Sequence, residues 1–508
     1  MSIEGTPPGR LEDEAALPSE PTAPAPRASV GPLLRSLLVW AGIVTLAVIA
    51  LLATLHLIAD LTAILTTPAG RSTNLLRLAV VFVMALAGGG LAVLVVWLAG
   101  RGGRREWMAI AIGLVVLIAV RVFVAVMLDG GAQGEPRTYR LMAESLLTPE
   151  PDLMGRPVGY AALLAGAYSV ISDRQLAAEI VNLLLAVLTG GIVLALARGL
   201  YGARVAAVAL LGYALWPAGA MMIVVSVPQT AFDLAVVAAA WAAVAAPPGW
   251  RGSAVTGAIV GMAQYLRPTA MILLPAYIIA RLWPGAPWRR LLDGAILPAT
   301  AAFLLVLVPV MVYNLDRLGS PSISTSDFGG HSLFMGTYEP SGGRFDREAN
   351  ELLIELAGND PAARSEKGME LALERIRDDP TGVAGLAVRK QDTLWGTEHY
   401  GVQYAVAQHL RDRPEHPRAV MPMVLSQAFY AVLMLAATVG VFQLRREPGP
   451  LIPLAVLLVW AVAAIHALLE VRDRYHSYVI PVLLPFAALA LVTLLEQVER
   501  RVARSPDG

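Results

Sequence analysis

"VNLLLAVLTGGIVLALARGLYGARVAAVALLGYALWP", Val181 to Pro217, decides the class of this protein. Two apolar runs without a charged residue are parted by Arg198 and Arg204 in "RGLYGAR". A helix needs about 20 apolar residues to cross the hydrocarbon core of a bilayer, and the first run, taken from Gln175, has that length. The whole chain agrees. Of its 508 residues 56% are hydrophobic and only 15% charged, where soluble domains carry about 25% charged residues. The formal net charge is zero, so no polyanionic partner such as nucleic acid is implied. Cysteine is absent, which excludes disulfides, thiolate metal sites and Cys nucleophiles.

Twelve stretches read as membrane spans: 34–57, 75–98, 107–128, 175–197, 205–225, 229–246, 253–266, 269–283, 291–313, 421–442, 450–468 and 477–495. The fold class expected is therefore an all-α, polytopic helix bundle. Residues 1–30, with "PSEPTAPAPRAS", read as a disordered cytoplasmic tail. With the N-terminus in the cytoplasm, the cytoplasmic connections become "GRGGRRE" (100–106), "RGLYGAR" (198–204), "GWRG" (249–252), "RLWPGAPWRR" (281–290) and "RREPG" (445–449), with the tail "ERRVAR" (499–504). Every one is basic, as the positive-inside rule requires. The opposite face receives 129–174, 314–420 and 470–476, which hold most of the acidic residues.

"GRPVGYAALLAGAYSVIS", 155–172, is too short to span and opens on Arg-Pro. It reads as an interfacial helix in the first large outer loop. Segment 314–420 has room for a small helical element. The organisation expected is a tail (1–30), two additional helices (31–106), a transmembrane core with its outer loop (107–313), the outer element (314–420) and the last spans with a cytoplasmic tail (421–508).

Chemistry is sought on the outer face. "GEPRTYRLMA", Gly134 to Ala143, carries Glu135 four residues before Tyr139. On position alone it reads first as an ordinary solvated loop carboxylate, the usual fate of a loop Glu, and only second as a reactive one. Arg156, Arg267 and Arg474 flank the same face; each reads either as a guanidinium snorkelling to headgroups or as a fork for phosphate oxygens. Arg121 lies about 10 Å inside the third span at 1.5 Å per residue. A charge at such depth needs a partner or a water-filled cavity, and Asp233 and Glu179 are candidates. His331 and His399 have no partner at metal-ligand spacing. Glu398 and His399 stand beside Trp395 and Tyr400, which could form an aromatic platform. Asp129, Glu135 and Asp152 could bind a divalent ion, yet no spacing compels one.

Taken in order, "GEPRTYRLMA", "GRPVGYAALLAGAY", the Val181–Pro217 run, "QYLRPTA" (264–270), "ISTSDFGGHSLFMGTYEPSGGRF" (323–345) and "DRYHSYVIPVLLP" (473–485) resemble the GT-C superfamily of glycosyltransferases that use polyprenyl-phosphate sugars. The similarity is to the family 39 type, related to protein O-mannosyltransferases and aminoarabinose transferases, and covers about residues 107–495. That family's loop reads Asp-x-x-x-Tyr and then Arg-Pro-Pro-Gly-Tyr; here Glu135 stands for Asp and Val158 for the second Pro. The resemblance implies an inverting transfer from a polyprenyl-phosphate sugar to an extracytoplasmic hydroxyl acceptor at the plasma membrane. It implies Glu135 as general base, with Asp129 as a rival, and Arg156, Arg267 and Arg474 as donor-phosphate ligands. Tyr139, Tyr160, Arg121, Asp233, His331 and Tyr475 become substrate-binding candidates. A secondary transporter, or a polymerase or ligase of lipid-linked glycans, stays open as an alternative.

Overall fold

The structure is a computed structural model that describes residues 30–66, 71–128, 130, 133–245, 249–282, 292–319, 321–410 and 417–504. Asp129, most of the N-terminal tail and most of the basic segment 281–290 lie outside the described residues. Among the described residues the chain is helical, with no strand.

The bundle begins with α1 (Val30–Thr66), α2 (Arg71–Ala99), α3 (Gly103–Met127) and α6 (Arg174–Tyr201). Between α3 and α6 lie two short helices, α4 (Glu135–Ser145) and α5 (Gly159–Tyr168). The next stretch is broken. Helix α7 (Ala203–Leu215) stops before Pro217, which has no N–H to continue the ladder, and α8 (Pro217–Met221) resumes in a new direction, the two arms bent by 56°. Then follow α9 (Gln229–Ala245), α10 (Trp250–Gln264), α11 (Leu273–Leu282) and α12 (Leu297–Leu318). Helices α10 and α12 pack at close range because Gly257 has no side chain. A Cβ there would stand 2.0 Å from the Ala299 carbonyl oxygen.

Five helices build the element expected in 314–420: α13 (Gly329–Gly336), α14 (Arg347–Ala357), α15 (Pro361–Asp378), α16 (Pro380–Trp395) and α17 (Tyr400–Leu410). Asp346, Asp360 and Asp379 cap three of them, each side chain accepting a backbone N–H of the first turn. The element has its own small core of Leu333, Phe334, Met335, Ala349, Leu353 and Ala372. Buried Lys390 fastens it to the bundle by donating to the carbonyls of Gly336, Ala467 and Leu469 at 2.8, 3.0 and 2.7 Å. The chain closes with α18 (Pro417–Gln443), α19 (Leu451–Leu468), a 3₁₀ segment Asp473–Val479 and α20 (Ile480–Arg504).

Eight helices among the described residues are long and apolar enough to cross a membrane, or nine with the bent α7–α8 pair. This is a multi-pass membrane bundle. The other three of the twelve expected spans are α9, α10 and α11, of 17, 15 and 10 residues. At 1.5 Å per residue the longest reaches about 26 Å, short of the roughly 30 Å core, so length and composition do not carry the count to twelve. The short helix expected in 155–172 is α5. It does not lie loosely on a surface: Tyr160, Ala161 and Leu164 are fully buried in a cluster with residues of α4 and α6.

Candidate active site

Helix α4 sets the first component. Pro136 sits in its first turn, where an N–H would be unpaired anyway, and Pro136, Tyr139, Met142 and Ala143 form its buried face. The Tyr139 ring meets Tyr160 of α5 edge-on at 5.8 Å. Helix α5 is itself pinned to the break after α10: the Gly159 N–H donates to the Tyr265 carbonyl at 2.7 Å. A Cβ at Gly159 would clash with that same oxygen, a local reason for Gly in "RPVGY". These contacts bring Glu135, Arg156 and Arg267 to one end of the bundle.

The last connection supplies the fourth component. Arg474 Nη2 donates to Glu135 Oε2 at 2.7 Å, and Arg156 Nη1 stands 3.7 Å from Oε1. Burial by itself would raise the Glu135 pKa, but the charges of Arg474, then Arg156 and Arg267, outweigh it and hold the carboxyl at about 2. Burial pushes the neighbouring Tyr139 phenol up to about 12, so it stays protonated. The guanidinium of Arg474 lies 4.8, 5.2 and 5.7 Å from the rings of Tyr400, Tyr475 and Tyr404, favourable positions for a cation near aromatic faces.

Arg474 spends only one of its nitrogens on Glu135. Its Nε and Nη1 are buried without a hydrogen-bond partner, and Arg474 borders a small hollow lined also by Trp216, Gln229, Glu398, Tyr400 and Ser477. An unpaired buried charged donor is costly, and an anion is the kind of group that would satisfy these two. Behind it, Arg267 Nη2 donates to Gln229 Oε1 at 2.6 Å, while Gln229 Nε2 donates to Asp233 Oδ1 at 2.9 Å and to Ser477 Oγ. The Arg267 Nε is also buried and unpartnered. Tyr475 lies over Arg267 at 5.4 Å and stacks on His466 at 4.6 Å.

Other candidates are drawn elsewhere. Arg121 makes no ion pair with Asp233 or Glu179; it donates to the carbonyls of Leu117, Tyr213 and Ala214 at 3.4–3.5 Å. Tyr213 would normally accept from residue 217, which is Pro, so Arg121 fills a gap in a broken helix. Tyr160 donates to Asn182 Oδ1 at 3.0 Å, and Asn182 in turn holds the carbonyls of Ile223 and Val225, both at 3.1 Å. Tyr160 therefore belongs to the support, not the cavity wall. His331 bonds Asn350 at 3.0 Å between Phe328 and Phe345. Trp395 is buried and stacks on His476, so the aromatic platform keeps only Tyr400. Among the described residues no three His, Asp or Glu side chains form a group that could hold a metal ion. Glu135, faced by guanidinium groups, is electrostatically unsuited to a divalent cation. The sequence reading passed over Tyr404, Gln229 and the cavity role of Trp216. Only the quoted "WP" break signalled the last.

The pattern of the family described as dolichyl-phosphate-mannose-protein mannosyltransferase matches residues 155–313. That segment holds Arg156, Asp233 and Arg267 but neither Glu135 nor Arg474. No curated protein matches the chain. Among solved structures it is similar to ArnT from Cupriavidus metallidurans bound to undecaprenyl phosphate, at 15% identity and TM-score 0.37, over 80% of this chain and 82% of that one. It is also similar to the Archaeoglobus fulgidus oligosaccharyltransferase in the apo form, at 15% identity and TM-score 0.47, over 80% of this chain but 52% of that one. The chain thus spans about half the archaeal protein. Over residues 155–313 the resemblance to protein O-mannosyltransferases read from the sequence is borne out.

Proposed function

We propose that the chain is an inverting glycosyltransferase that moves a sugar from a polyprenyl phosphate to a hydroxyl acceptor. The observation that carries this reading is Arg474, bound through one nitrogen to Glu135 while two others stand unpaired beside the cavity. The matched family, whose description names a dolichyl-phosphate sugar, supports the donor class. The basic short connections support a plasma-membrane protein with both termini cytoplasmic and the site on the extracytoplasmic side.

Glu135 at about 2 is a weak base, since general-base efficiency rises as the pKa approaches working pH. The donor resolves this. Its phosphate engages Arg474, with Arg267 and Arg156 nearby, and neutralises the charge that depresses Glu135. The freed carboxylate regains basicity. The acceptor oxygen then bonds to the anomeric carbon while the bond from that carbon to the phosphate oxygen breaks. The electron pair leaves on the lipid phosphate, where the arginines stabilise it, and the hydroxyl proton passes to Glu135. Attack opposite the leaving group inverts the anomeric centre.

The test is purified protein with radiolabelled polyprenyl-phosphate sugars and candidate hydroxyl acceptors. Labelled acceptor should form with wild type and not with Glu135→Gln. The same variant should bind sugar-free undecaprenyl phosphate more tightly than wild type, because the internal anion no longer competes. Full transfer by Glu135→Gln would overturn the reading. Uptake into proteoliposomes without a covalent product would replace it with transport.

A further inference from the structure

The proposed reaction leaves α1 unused, although its end is stitched to the residues just before α17. Gln427 Nε2 donates to the Ala53 carbonyl of α1 and to the Gly396 carbonyl, both at 2.8 Å. Its oxygen accepts the Glu398 N–H at 2.9 Å. Asp60 Oδ2 lies 2.8 Å from His399 Nε2, the pair largely shielded at 22% and 12% side-chain exposure. A second pair, His56 and Asp392 at 3.0 Å, joins α1 to α16 and is more open, at 33% and 56%.

His399 sits at a junction. Its backbone N–H and that of Tyr400 donate to Asp473 Oδ2 at 3.1 and 2.8 Å, and the Thr397 hydroxyl adds a third contact at 3.3 Å. Asp473 Oδ1 accepts the N–H of Arg474 at 3.1 Å. The residue after His399 is Tyr400, whose ring lies 4.8 Å from the Arg474 guanidinium. His399 therefore joins α1, through its imidazole, to the carboxylate clasp before Arg474, through its backbone N–H, and it directly precedes the ring beside that charge. The His56–Asp392 pair ends on α16, outside that clasp.

We propose that α1 is a positioning element for the phosphate-binding arginine, acting through Asp60 and His399. This rests on Arg474 being the phosphate site. Asp60 is a positioning residue: it touches neither substrate nor the reacting atoms, and it sets the place of Tyr400 and Asp473. The additional N-terminal helices thereby gain a role in donor affinity as well as in bundle packing.

The experiment uses the full chain in detergent with undecaprenyl phosphate as probe, binding read by isothermal titration calorimetry. Asp60→Ala and His399→Ala should each weaken binding about 3- to 10-fold, the scale of a coupling through an intermediate residue. Asp60→Asn, which keeps the shape, should lose less. The double variant should be no worse than either single, since the two act through one contact. His56→Ala, loosening the same helix elsewhere, should bind as wild type does. Equal weakening by His56→Ala and Asp60→Ala would make α1 mere packing, and additive losses in the double variant would remove the Asp60–His399 route; either overturns the proposal. Arg474→Gln is measured beside them. If it binds undecaprenyl phosphate as tightly as wild type, the phosphate reading falls and the inference with it; if it alone weakens binding, only the inference falls.

Discussion

Arg121 and Arg474 are both buried, at 1% and 9% exposure, yet they end in opposite situations. Arg121 lies in α3 against the break at Pro217, and its donors reach three backbone carbonyls, with the Tyr213 ring 4.9 Å away. Arg474 gives one nitrogen to Glu135 and leaves two unpaired beside a cavity. A buried charge left unpaired is costly, so each must be compensated. Protein carbonyls compensate the first permanently. The second is compensated only in part, and that residue of unmet hydrogen bonding is what a phosphate would meet. Burial therefore does not separate the two arginines; the count of unsatisfied donors does.

Four experiments break or sharpen this contrast. The largest effect belongs to Glu135→Gln, which should lower transfer by about 10²–10⁴ with normal membrane insertion; activity within tenfold of wild type would detach Glu135 from the chemistry. Next, Arg474→Gln should reduce kcat by about 10²–10³, the size seen when one preorganised donor to developing charge is lost. Arg121→Gln assayed per folded molecule should keep near-normal transfer. If the two arginine variants lose activity alike, the distinction between them fails. Third, Arg121→Leu should lower thermal stability, by about 1–3 kcal/mol for each carbonyl left unpaired, read as a drop in Tm in detergent.

The smallest effect is in acid. The folded-state pKa of Glu135, at about 2, lies below the ordinary value of 4.5. Its pairing with Arg474 therefore stabilises the fold above about pH 4.5, and that contribution fades as pH falls toward 2. Wild-type Tm should decline across this window by more than that of Glu135→Gln; parallel curves would mean that the pair contributes no measurable stability.

Much of this could be read from the chain because it follows from local rules. Apolar runs of span length become helices, Asp346, Asp360 and Asp379 cap the helices of the 314–420 element, and Pro217 and Pro268 break where a missing N–H requires it. Glu135, Arg156, Arg267 and Arg474 were nameable from the motifs carrying them, and all four gather at one end of the bundle. The partner of Arg121 was not legible. Pairing it with Asp233 treats charges as seeking charges, whereas a broken helix offers carbonyls at shorter range. The partner of Tyr160 was hidden for a related reason: its motif position gave no sign that its hydroxyl donates to Asn182.

The sequence alone determined that this is a helical membrane protein and which polar segments stand apart from its apolar spans, because hydropathy, Pro breaks and Asp caps act within a few residues. Only the tertiary structure decided that Arg474 meets Glu135 across 339 positions, that Arg121 is spent on backbone, and that Asp60 of α1 reaches His399. Such contacts depend on how helices pack, and a local pattern fixes which face a helix buries but not which residue of a distant helix will stand opposite.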